Sequence, residues 1–284
     1  MQNLKKYFRF ILILCCSGLL LFTNAQIPFE LDQGGHIILK AKINGVEGKF
    51  ILDTGAGLNV LFKKFAQKTE FIKSSNFFVG HRATGEEIMA ELVTVKTMEL
   101  DSYSLTNQQF TVYDTELGDI DGLISLQPFM NMPLTIDYGK KQIFINRKLK
   151  TKKSINIQLA DYAGKAIDIF TEVTLNDTLN IQVMLDSGAG SNSFWFSSRL
   201  LAPLNLRYDS FRNMPRKSDF KKGIQNYFYL GPIKKLATEN KMVVLEKPSV
   251  AFVDGLIYEG KTSLDWLGKV ITIDVSKKKI FIGE

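Results

Sequence analysis

Phe50-Ile51-Leu52-Asp53-Thr54-Gly55-Ala56-Gly57 returns 133 residues later as Val183-Met184-Leu185-Asp186-Ser187-Gly188-Ala189-Gly190. Each stretch sets an acid, a hydroxyl and a glycine directly behind an apolar run of strand character. From average residue usage, one Asp-[Thr/Ser]-Gly-Ala-Gly pentad arises by chance in roughly one chain per thousand. Two at matched places mark an internal repeat. Further on, Leu134-Thr135-Ile136-Asp137 returns as Ile271-Thr272-Ile273-Asp274. Six residues after each of those acids comes one triplet, Ile143-Phe144-Ile145 and then Ile280-Phe281-Ile282. The pentad acid and the later acid are 84 residues apart in the first copy and 88 in the second. This predicts two similar halves, 26–150 and 151–284, joined by a Lys-rich polar linker from Arg147 to Ser154.

The composition narrows the chemistry. The chain has 284 residues, 45% hydrophobic and 23% charged, which fits a folded globular protein and excludes disorder or a bare coiled coil. Net charge is +7, but Lys5, Lys6 and Arg9 lie in a leader pattern expected to be cleaved, which leaves +4. With no basic-aromatic motif, that excess does not point to nucleic acid. The two histidines are His36 and His81, and both cysteines, Cys15 and Cys16, fall in the N-terminal apolar run. A Cys-His nucleophile, a Cys-rich zinc site and a disulfide framework are therefore excluded, and neither His has a triad motif around it. No metal or other cofactor is implied, and carboxylates are expected to carry any catalysis.

Residues 1–25 read as a signal peptide. Three cations precede the 13-residue apolar stretch from Phe10 to Phe22, and Thr23-Asn24-Ala25 follows. The stretch is shorter than the roughly 20 residues needed to span a bilayer. Cleavage after Ala25 would export the protein (periplasmic, cell-envelope or secreted) with no stable membrane span.

The remainder reads as mostly strand. Ile37 to Ile43, Lys49 to Leu52, Leu92 to Val95, Phe110 to Tyr113 and Asn180 to Leu185 alternate or are β-branched, with turn residues between them. Asp137 and Asp274 open turns rich in lysine. Val60 to Phe71 and Ser197 to Leu204 are expected to be short helices. Trp195 and Trp266 are expected in the core.

The paired pentads resemble the aspartic peptidases, especially the retropepsin-like and pepsin-like group, in which two lobes each contribute one Asp-Thr/Ser-Gly loop. The resemblance runs from about Ile37 to Ile282. It implies an all-β, bilobal fold with pseudo-twofold symmetry and a few short helices, with Asp53 and Asp186 facing each other as the catalytic pair. Thr54 and Ser187 would fix the loops by hydrogen bonds across the axis, and Gly55 and Gly188 would let the backbones approach. Two close carboxylates share one proton, so the ionised acid can activate water while its neighbour protonates a carbonyl. Because the repeat supplies both loops, a monomer suffices. The implied partner is a peptide or protein substrate, and the implied activity is endopeptidase cleavage. A peptide- or partner-binding protein that keeps the fold without turnover is the competing reading.

Three features qualify the resemblance. Ala56 and Ala189 stand where pepsin-like members often carry a hydroxyl, so the dyad is expected to work at about pH 5 to 7. The substrate-covering flap is expected at Gly80, His81, Arg82, Ala83, Thr84 and Gly85, with a second-half counterpart at Lys217 to Gly223. Finally, the family supports each catalytic loop with a hydrophobic-hydrophobic-Gly element. Leu123-Ile124-Ser125 matches it fairly, whereas Lys261-Thr262-Ser263, within Gly260 to Leu264, matches it poorly.

Overall fold

The computed structural model describes residues 25–218 and 223–283. All but the last residue of the expected signal peptide, and the middle of the Lys217 to Gly223 turn, lie outside that range.

Alternating apolar residues make the first lobe a sheet of eight strands. Ile37–Ile43 is the simplest case: its burial alternates residue by residue, so Ile37, Leu39, Ala41 and Ile43 face the core. It pairs antiparallel with Val46–Leu52, which runs directly into Asp53. The second lobe repeats the arrangement, with Ile167–Leu175 antiparallel to Leu179–Leu185, which runs into Asp186.

A third, six-stranded sheet joins the lobes. Leu134–Asp137 from the first half pairs antiparallel with Val270–Asp274 from the second, Leu134 opposite Ile273 and Ile136 opposite Ile271. Thr135 faces Thr272 at its centre, and their buried hydroxyls lie 2.7 Å apart. Each repeat copy thus meets the other where the repeat places it, and the pseudo-twofold axis passes through this threonine pair. The fold is all-β and two-lobed.

Two helix expectations are corrected. Within Val60 to Phe71, Asn59–Phe62 is a strand held on both sides, and one helical turn, Lys63–Ala66, follows it. Within Ser197 to Leu204, Ser197 ends the strand Phe194–Ser197 and Ser198–Leu200 forms a single 3-10 turn. In both places the ladder hydrogen bonds of an interior strand outweigh a short helical periodicity. Asp137 and Asp274 do serve their turns, accepting from the backbone N–H of Lys140 and Lys277 at 2.9 and 3.1 Å.

Candidate active site

Each Asp-Thr/Ser-Gly loop is delivered by a strand and held from behind by a second strand lying parallel to it. In the first lobe Ile51 pairs with Leu123 and Leu52 with Ile124, and the Asp53 N–H donates to the Ile124 carbonyl at 2.8 Å. In the second lobe Met184 pairs with Lys261 and Leu185 with Thr262, and the Asp186 N–H donates to the Thr262 carbonyl, also at 2.8 Å. The departure from the apolar pattern at Lys261-Thr262-Ser263 therefore leaves the backbone support intact. Buried Thr262 finds a polar partner, its Oγ1 accepting from the Trp266 indole N–H at 3.3 Å.

Four reciprocal hydrogen bonds lock the loops together. The Thr54 hydroxyl donates to the Leu185 carbonyl at 2.7 Å and accepts from the Ser187 N–H at 3.0 Å. The Ser187 hydroxyl donates to the Leu52 carbonyl at 2.7 Å and accepts from the Thr54 N–H at 3.0 Å. All four groups are buried, so each would be costly to leave unpaired. The approach is close enough to demand glycine. A Cβ on Gly55 would fall 2.5 Å from Asp186 Cγ, and one on Gly188 would fall 2.3 Å from Asp53 Cγ.

The two acids consequently meet, each carboxyl against the other loop's glycine, with the Gly55 N–H donating to Asp53 Oδ1 at 2.9 Å. Their environments differ. Burial first, and then the charge of Asp186 beside it, push Asp53 well above the usual carboxylate range. Burial also works to raise Asp186, but the Lys261 ammonium outweighs it and holds Asp186 below that range. Lys261 Nζ stands 2.7 Å from Asp186 Oδ2. Asp186 Oδ1 is buried without a donor when both carboxyls are bare, so a proton on Asp53 is the partner at hand.

Lys261, Asp168 and Tyr258 are site residues that sequence reasoning missed. The Lys261 ammonium also lies over the Trp195 ring, 4.5 Å from its centroid, so Trp195 is a half-buried wall of the site and not a core aromatic. A lysine between Gly260 and Thr262, where the repeat has Leu123, was the available signal. Asp168 reaches the first catalytic loop from the second lobe, and a Cβ on Gly57 would sit 3.3 Å from its Oδ1. Burial and the charge of Asp186 push Asp168 up to about 7, with the Tyr162 hydroxyl pulling the other way. Tyr258 feels Asp168 and Asp186 as well as burial, all of which raise it. An acid inside the apolar run Ala166 to Phe170 was the signal there.

The expected flap is a long hairpin, Ile72–His81 against Glu87–Leu100. Gly80 and exposed His81 end its first strand, and Arg82 to Gly85 form the turn, closed by the Arg82 N–H donating to the Glu86 carbonyl at 2.8 Å. The turn touches the other lobe. The Ala83 carbonyl accepts from the Ile257 N–H at 3.0 Å, and Glu86 accepts from Ser218 at 2.6 Å and from Thr84. The second-half hairpin, Arg212–Lys217 against Gln225–Pro232, is shorter. Among the described residues no group of three or more His, Cys, Asp or Glu is placed to hold a metal ion, and no helix is long and apolar enough to cross a membrane.

Comparison with known proteins bears on the first half. Residues 39–127 match the aspartyl protease family, a stretch that includes Asp53, the flap and Leu123. Comparison with curated proteins gives no match. Among solved structures, a retropepsin-like aspartic protease from Rickettsia conorii is 21% identical, with a TM-score of 0.33, covering 43% of this chain and 89% of that one. The first half of this two-lobed, all-β chain is thus similar to the aspartyl protease family, and its second half builds the same loop again.

Proposed function

We propose that the chain is an exported aspartic endopeptidase that cleaves peptide bonds through Asp53 and Asp186. The observation that carries this reading is the meeting of the two carboxyls across the interlocked loops, each against the other loop's glycine, with the Lys261 ammonium 2.7 Å from Asp186. In the reaction, the Asp186 carboxylate takes a proton from a water whose oxygen bonds to the peptide carbonyl carbon. The carbonyl oxygen takes the Asp53 proton, giving a neutral gem-diol. Asp186 then passes its proton to the amide nitrogen, the C–N bond breaks, and a diol hydroxyl returns its proton to Asp53. No covalent intermediate forms. The flap turn, reaching the far lobe, would lie over an extended peptide bound by strand-like backbone contacts.

The leader pattern supports export, which amino-terminal sequencing of the secreted or envelope fraction tests: the expected first residue is Gln26. Activity is tested on a peptide library with the purified protein. Turnover blocked by a statine-type inhibitor, and lost in both Asp53→Asn and Asp186→Asn, supports the reading. Peptide binding without cleavage would replace it by the binding-protein alternative.

A further inference from the structure

We propose that Lys261 makes the dyad permanently unequal, holding Asp186 as the carboxylate that takes the water proton and leaving Asp53 as the proton carrier. The proposal rests on the endopeptidase reading for its catalytic meaning, but its physical content is independent of turnover. In a symmetric pair the shared proton has no preferred side, because each loop presents the same groups. Here the two loops share backbone geometry, and the side chain that the supporting strand sets beside each differs. Leu123 and Lys261 occupy equivalent places, each opposite the second residue before its catalytic acid. Only the second is a cation.

The placement of that cation is tight. Its side chain is 12% exposed, and the Asp186 side chain is 8% exposed. The Trp195 face closes one side of the ammonium, which limits its choice of partner. Among the described residues its ion-pair partner is Asp186. The groups around Asp186 are Asp53 from the first catalytic loop, Asp168 from Ile167–Leu175, Tyr258 from the turn before Gly260–Thr262, and Lys261. Of the three acids gathered here, Asp168 and Asp186 are buried and Asp53 half-buried, and the Lys261 ammonium is paired with Asp186. An ion pair in a poorly hydrated site is retained in the arrangement that keeps both charges, so the negative charge settles on Asp186 and the proton on Asp53.

Two chemical probes read the assignment directly. A small epoxide esterifies an ionised carboxyl: the carboxylate oxygen attacks a ring carbon, the ring C–O bond breaks, and the alkoxide takes a proton from solvent. A diazoacetyl ester esterifies a protonated carboxyl: the diazo carbon takes the acid proton, dinitrogen leaves, and the carboxylate oxygen bonds to that carbon. Peptide mapping of the wild-type protein should find the epoxide on Asp186 and the diazo-derived ester on Asp53, each favoured by about tenfold or more, the ratio of one pKa unit. Lys261→Met should bring both ratios toward one and move both limbs of the pH–rate profile to higher pH, since Lys261 lowers both acids. Lys261→Arg should restore the wild-type pattern.

Epoxide on Asp53, equal labelling of both acids, or alkylation of the Lys261 amine in the wild type would overturn the proposal. So would unchanged ratios in a folded Lys261→Met protein. If that variant does not fold, the wild-type mapping decides. A protein that labels as expected yet cleaves no peptide would keep the Lys261 assignment and remove the endopeptidase reading.

Discussion

The two halves hold Asp53 and Asp186 with the same backbone bonds and surround them with different side chains. Ile124 and Thr262 each offer a carbonyl at 2.8 Å to the acid's N–H, although one is aliphatic and the other hydroxylic. One place earlier in strand register, Leu123 and Lys261 diverge completely. Position is set by the backbone and protonation by the side chain, so duplication leaves geometry common to both halves while chemistry separates. The flap teaches the same lesson, since a long hairpin from the first lobe faces a shorter one from the second.

The hardest test of that comparison is catalytic. Asp53→Asn and Asp186→Asn should each reduce kcat by about a thousandfold or more, within the range of general acid–base contributions, while leaving the fold intact by circular dichroism. A variant that keeps activity would show that one half alone carries the chemistry. The next effect is structural. Thr54→Ala and Ser187→Ala each remove one buried donor and one buried acceptor, so each should destabilise by about 2–4 kcal/mol in urea unfolding. The twofold relation predicts nearly equal losses, and a clear inequality would show that the grip is one-sided.

A smaller effect separates the halves by pH. Asp168 is raised to about 7 when folded, so the native state binds its proton more tightly than the unfolded chain does. Its contribution to stability is full below the unfolded value near 4 and is lost as pH climbs to about 7. Asp168→Asn, neutral at every pH, should flatten that decline in Tm and stabilise the protein by a few degrees at pH 8, as thermal scans across pH would show. The smallest effect concerns the flap. Burial would raise Glu86, but the Ser218 and Thr84 hydroxyls that bond it hold it below its usual range. Glu86→Gln should weaken the turn's attachment to the second lobe and increase protease nicking near residues 82–86 several-fold, with little change in Tm.

Much of this molecule was legible in its sequence. Period-two burial is plain in Ile37 to Ile43, and the repeated pentads led directly to acids that meet in space. The shared sheet was foreshadowed by Leu134 to Asp137 and Ile271 to Asp274, although nothing local said that these copies pair with each other. The misses have physical reasons. Val60 and Leu61 have helix-like spacing toward Phe65, but a strand needs partners that only the tertiary fold supplies. Lys261 looked like a defect because an apolar pattern says nothing about a cation whose acid lies 75 residues away. Asp168 and Tyr258 escaped because their neighbours at the site come from distant segments.

The threonine-centred sheet between the lobes has a consequence for the covalent chain. Residues 146–153 contain no strand, and beyond them each half carries its own share of that sheet, ending in an apolar edge made for the other. Severing the backbone there would yield two fragments whose sticky rims recognise each other, so the severed pieces, mixed together, would reassemble as a complementing pair in which neither piece owns the catalytic centre.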